Sequence, residues 1–160
     1  MLYTVLIVAM VVIDQIVKYW VRANIELYQV LPFIPKILGL SYIQNTGAAW
    51  SILSEHTWLL TLISAVVSVA LAVMLYKNYL TRHPIGKTCL ALVLAGAIGN
   101  LIDRALMGYV TDMFRTLFMD FPVFNVADIC VVCGAFGLCF YVGFFYDKLE
   151  GKDGTHSSAD

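Results

Sequence analysis

Asp14 and Lys18 interrupt one apolar run of this chain, Asn100, Asp103 and Arg104 close a second, and Asn125 and Asp128 open a third. An ionised side chain at the centre of a bilayer costs about 2.5–3.5 kcal/mol, so each asks for a partner or a task. Asp14 and Lys18 are four residues apart with the acid first, the better order for an ion pair on one helix face. Two readings follow: mutual neutralisation alone, or a bond from Asp14 to backbone or substrate at a site. Asn100 and Arg104 also share a face, and Asn125 and Asp128 lie three apart on another.

The chemistry open to these residues is narrow. Asp112 and Asp128 belong to different elements. Close carboxylates cannot both ionise cheaply, so a pair shares a proton. One then activates a water while the other, protonated, polarises a scissile carbonyl. The competing reading makes Asp128 only an acid favoured by a helix N-terminus. Serine catalysis would need a base beside Ser41, Ser51 or Ser54. His56 is the one histidine on that side, and it reads better as a loop residue at a helix boundary. No H-E-x-x-H zinc motif occurs. Cys130-Val-Val-Cys133 has the spacing of a metal or redox pair. With Cys89 and Cys139, however, it lies in apolar runs, as buried inert thiols do.

The elements that hold these residues follow from composition. The 160 residues are 61% hydrophobic and 13% charged, with a mean hydropathy of +0.82 and a net charge of −1. This excludes a disordered chain, a basic nucleic-acid binder and an ordinary soluble domain. A span takes about 20 apolar residues. Stretches at about 2–21, 57–76, 88–107 and 123–146 qualify. The expectation is an all-α integral membrane protein: one membrane domain over residues 1–160, with four transmembrane helices and a small extracytoplasmic β-rich cap after the first. No Lys or Arg precedes Lys18, so the first stretch reads as a retained helix and not as a cleaved signal peptide. Lys77, Arg82 and Lys87, with no acid among them, place the second connection in the cytoplasm. Both termini follow it there, including the polar tail at 147–160. Residues 22–56 and 108–122 then lie outside. Residues 38–50 are rich in β-branched and aromatic side chains, and Pro32 and Pro35 exclude regular helix, so residues 22–56 read as a cap with short strands. Trp20, Tyr28, Tyr42, Trp50 and Trp58 suit an interfacial aromatic belt.

This topology brings Asp14, Asn100, Asp103, Arg104, Asp112, Asn125 and Asp128 to one depth, the outer interface. A conducting path needs polar groups through the whole thickness, and the second helix offers only Thr61, Ser64 and Ser68. That weighs against the competing class, a carrier or assembly factor with buried ion pairs. The Gly-x-Gly-Asp motif of presenilin-type proteases is absent.

Five boxes in order complete the pattern: Asp14-Gln-Ile-Val-Lys18, Asn45-Thr-Gly-Ala-Ala-Trp-Ser51, Gly96-Ala-Ile-Gly-Asn-Leu-Ile-Asp-Arg104, Gly108-Tyr-Val-Thr-Asp112 and Phe124-Asn-Val-Ala-Asp128. With them the chain resembles the lipoprotein signal peptidase (signal peptidase II) family of bacterial membrane aspartyl proteases, over nearly its whole length. The departures are small: Ala95 stands where a second glycine is common, Met113 where phenylalanine is usual, and the stretch from Asp112 to Asp128 is short. The resemblance implies removal of signal peptides from diacylglyceryl prolipoproteins, cutting N-terminal to the lipidated cysteine. It implies Asp112 and Asp128 as catalytic residues. Asp14, Asn45, Asn100, Arg104 and Asn125 fall on substrate-contacting and site-shaping positions. It implies no metal or organic cofactor and no nucleic acid. The implied partners are membrane lipids and globomycin-type inhibitors, around a monomer in the bacterial cytoplasmic membrane. Arg104, charged at any depth, would hold a substrate carbonyl or lipid ester, or structure the outer loop. Asp103, one step from Arg104, points to another face and reads as a local pair or a cap.

Overall fold

The computed structural model describes residues 1–47 and 57–146. Trp50, Ser51, Ser54, His56 and the tail at 147–160 lie outside the described residues, as does the second half of the Asn45–Ser51 box. Four helices are long and apolar enough to cross a membrane: α1 (Leu2–Asn24), α2 (Thr57–Lys77), α3 (Pro84–Met107) and α4 (Val126–Phe144). Helix α3 packs against each of the other three. Its Leu90, Ala91, Leu94 and Ala95 form a core with Ile7 of α1 and Leu75 of α2. The outward faces stay apolar, with Val5, Val12 and Ile16 exposed on α1, Val66 and Val73 on α2, and Phe136 and Phe140 on α4. Such helices satisfy their own backbone groups and offer these faces to lipid. Helices pack in a membrane where small residues let backbones approach. Gly96 does this between α3 and α4, since a Cβ there would stand 2.3 Å from the Ala127 carbonyl oxygen.

Three helix boundaries differ from the hydropathy reading by three residues or more, each for a local reason. Helix α3 opens at Pro84 and not near residue 88. The proline takes the first turn, where its missing N–H costs nothing, and the His83 side chain accepts from the Ile85 N–H. Helix α4 opens at Val126. Val123 and Phe124 are apolar enough for a helix, but Phe124 bridges to Phe114 in extended form and Asn125 caps the helix. Helix α1 continues past residue 21 to Asn24, where polar side chains reach the interface without ending the helix.

The cap is a three-stranded antiparallel sheet in the order β1 (Val30–Ile34), β2 (Leu38–Asn45) and β3 (Val110–Thr116). The first two strands come from the expected cap segment. The third comes from the connection between α3 and α4, which hydropathy alone does not shape. Gly108 makes this possible: at φ 77 it ends α3 in the left-handed region, and β3 begins two residues later. Val21 of α1 and Ile25, the residue that caps it, pack with Tyr42 of β2 and Met113 of β3. Tyr42 is thus a buried residue (8% exposed) and not part of the aromatic belt, because it packs on the C-terminal end of α1. Trp20, Tyr28 and Trp58 remain exposed.

Candidate active site

Asp112 sits on the central stretch of β3, opposite Ile43, and Asp128 sits in the first turn of α4. The local sequence dictates the second placement. The Asn125 side chain accepts from the Asp128 N–H at 2.9 Å while the Asp128 Oδ2 accepts from the Asn125 N–H at 3.1 Å, a reciprocal cap. The two aspartates line one cavity of about 510 Å³ together with Asn45, Asn100 and Arg104. Phe121, Phe124, Ile129 and Val132 make its apolar wall.

Each carboxylate oxygen of the pair has an N–H donor. Asp112 accepts from Asn45 Nδ2 at 2.9 Å and from Asn125 Nδ2 at 2.7 Å. Asp128 accepts from Asn100 Nδ2 at 2.8 Å and from the Asn125 backbone. Asn125 also donates to Asn100 Oδ1 at 3.1 Å, so one amide joins both aspartates and the third helix. Burial, and then the charge of Asp128, push the Asp112 carboxyl from its ordinary 3.8 up to about 7. The bonds from Asn45 and Asn125 and the charge of Lys18 hold it down. Asp112 thus holds its proton to a higher pH than an ordinary carboxyl does. Arg104 reaches the Gly47 carbonyl at 3.3 Å, and its Nε, although buried, has no hydrogen-bond partner among the described residues.

Asp14 is not in the cavity. It is buried behind it, accepting from Lys18 at 2.9 Å and from the Ala127 N–H at 2.9 Å, one residue before Asp128. Both sequence readings of Asp14 therefore have a counterpart in the structure, an ion pair and a backbone bond. Asp103 departs from the expected local role. It reaches Lys18 across to α1 at 3.4 Å and accepts from the Thr111 N–H at 2.9 Å, tying α1, α3 and β3 together. Stepping one residue from Arg104 does turn it to another face, but that face carries α1. Gln15 and Arg22 escaped sequence reading. Gln15 donates to Gly99 O and to Asp103, and Arg22 donates to Thr111 Oγ1 at 2.9 Å. Their position on the Asp14–Lys18 side of α1 was the available signal. The cysteines are all free, but only Cys130 is buried. Cys133 and Cys139 are exposed, and Cys133 lines the cavity wall, because a step of three turns the side chain off the helix–helix face.

Comparisons with known proteins give the family and the fold. The family model described as signal peptidase (SPase) II matches residues 6–145. The lipoprotein signal peptidase of Enterococcus faecalis is 44% identical over 149 residues, covering 90% of this chain and 89% of that protein. The lipoprotein signal peptidase of Latilactobacillus sakei subsp. sakei is 39% identical over 142 residues, covering 89% and 92%. Two bacterial membrane enzymes solved by the in meso method share the fold. One has a TM-score of 0.81 at 28% identity, covering 99% of this chain and 94% of that one. The other has a TM-score of 0.79 at 30% identity, covering 88% and 91%. A family match over this length, on a fold that gathers two aspartates in one membrane-borne cavity, makes the chain a member of the signal peptidase II family and a membrane peptidase.

Proposed function

We propose that this peptidase removes the signal peptide from diacylglyceryl-modified lipoprotein precursors by aspartic chemistry, cutting N-terminal to the lipidated cysteine. The observation that carries the reading is the pair Asp112 and Asp128 in one cavity with donors on all four oxygens. A water held between them loses a proton to the Asp128 carboxylate as its oxygen attacks the scissile carbonyl. Asp112 donates its proton to the carbonyl oxygen. The tetrahedral intermediate collapses as its C–N bond breaks, the leaving amine taking the proton from Asp128 while one hydroxyl returns its proton to Asp112. Donors already in place stabilise this charge without reorganising. Asn45, Asn100 and Arg104 line the cavity and offer hydrogen bonds to an extended peptide without closing the water site. The apolar wall of Phe121, Phe124, Ile129 and Val132 suits a signal peptide and acyl chains.

Loop charge supports an outward-facing site: Lys77, Arg82 and Lys87 hold the other end of the bundle in the cytoplasm, with both termini. The chain acts as a monomer on substrates in the surrounding lipid, and globomycin-type cyclic peptides compete for the same cavity. The test uses the purified protein in lipid and one precursor peptide with and without the diacylglyceryl group. Mass spectrometry should show a single cut before the modified cysteine, suppressed by globomycin. Equal cleavage of the unmodified peptide, or no cleavage of either, overturns the reading.

A further inference from the structure

We propose that Lys18, which has no hydrogen bond to either aspartate of the pair, is a positioning residue for them: it locks the Asn100 carboxamide with its N–H end toward Asp128. This rests on the aspartic reading above. The Lys18 side chain is fully buried, and its ammonium meets Asp14 Oδ2 at 2.9 Å, Asn100 Oδ1 at 3.0 Å, and Asp103 Oδ2 and Gly99 O at 3.4 Å each.

A carboxamide has an accepting and a donating end of nearly equal shape, and only its partners decide which way it points. Two of the three asparagines at the pair are oriented by backbone. Asn45 Oδ1 accepts from the Gly47 N–H at 3.0 Å, and Asn125 Oδ1 accepts from the Asp128 N–H at 2.9 Å. Each therefore aims Nδ2 at Asp112. Asn100 differs. Its oxygen is held by two side chains, Lys18 from α1 and Asn125 from the edge of α4, and only Lys18 is charged. Reversal of this amide would set its oxygen against the Asp128 carboxylate and its hydrogens against the ammonium. The charge also polarises the amide, strengthening the N–H that Asp128 receives. Helix α1 thus enters the chemistry without lining the cavity.

The charged groups that act on Lys18 are Asp14 on its own helix, Asp103 on α3 and Asp112 on β3; one step beyond them, Arg22 faces Asp103, Arg104 faces Asp112, Asp103 and Asp128, and Cys130 of α4 faces Asp14. Asp14 and Asp103 fix the ammonium's place, and neither touches Asn100.

The test is a double-mutant cycle on the whole protein in lipid, with kcat and KM referred to the folded fraction, read from protection of the buried Cys130 against a thiol reagent. Lys18→Met keeps the stem and removes the charge. It should lower kcat by roughly 10- to 100-fold, the usual weight of a charge-assisted hydrogen bond, with KM within about twofold. On an Asn100→Ala background the same change should add less than about threefold, since the residue through which it acts is gone. Should Lys18→Met accumulate poorly, the cycle runs on Asp14→Asn, where the one buried carboxylate that loses the ammonium, Asp103, keeps Arg22 at 4.0 Å. Independent, additive losses, or a loss that falls on KM and not on kcat, overturn the positioning role. If Asp112→Asn or Asp128→Asn retains turnover, the aspartic reading fails instead, so the two failures are distinguishable.

Discussion

Replacing Asn45 with alanine should move the alkaline limb of the cleavage profile upward. Asp112 is 3% exposed and is pushed from 3.8 to about 7, by burial first and by the charge of Asp128 second. An acid with a raised pKa is neutral below that value, so a reaction that needs neutral Asp112 runs up to about pH 7 and fades above it. The bond from Asn45 Nδ2 at 2.9 Å opposes this shift by stabilising the carboxylate. A hydrogen bond to a charged group contributes about 1.5–3 kcal/mol, or roughly one to two pH units at 1.36 kcal/mol per unit. Water entering the space recovers part of it, and the Asn125 bond at 2.7 Å remains, so a rise of about one unit is expected. The assay is kcat/KM for a diacylglyceryl precursor from pH 5 to 9, parent against Asn45→Ala. The height of the profile will fall if Asn45 also holds substrate, but the position of its limb reports on Asp112. A limb that stays at or moves below the parental position would refute the reasoning.

Asp112 also links stability to pH. The folded protein keeps a proton that the unfolded chain loses, so this contribution is complete below 3.8 and is lost as pH rises to about 7, up to about 4 kcal/mol. Asp112→Asn should flatten that fall, gaining on the parent between pH 5 and pH 8 in thermal unfolding followed by Cys130 reactivity; parallel curves would show that Asp112 is not the linked group. Asp14→Asn with Lys18→Gln removes both charges of the pair, and cleavage should stay at least about tenfold slow because neutral amides hold the Ala127 N–H and Asn100 Oδ1 more weakly than the charged groups do; near-normal rates, with Asp14→Asn alone impaired, would reduce the pair to mutual neutralisation. Gly96→Ala forces a methyl into a 2.3 Å approach to Ala127 O; it should cost about 1–3 kcal/mol and slow cleavage by shifting the start of α4, whereas an unchanged melting temperature would mean that the helices separate freely.

The four spans and the gathering of polar residues at one end of the bundle were legible because lipid imposes length and penalises charge along each helix. The i,i+4 spacing of Asp14 and Lys18 announced their ion pair. What stayed hidden depends on partners distant in sequence. β3 could not be read from residues 108–122, since its pairing with β2 is set by Gly108 and by the apolar seam of Tyr42 and Met113. The reach of Asp103 to Lys18 and Thr111 needed the packing of α1 on α3. The orientation of the three asparagines is a property of their networks and of no single spacing.

The most direct test of the central claim is turnover by the two single variants Asp112→Asn and Asp128→Asn, each purified, inserted in lipid and shown to be folded by Cys130 protection. Each replaces a carboxylate with an isosteric amide at one half of the pair. Both should still bind the lipidated precursor, and neither should release its signal peptide above the rate without enzyme. Substantial cleavage by either folded variant would contradict the assignment of Asp112 and Asp128 as the catalytic pair.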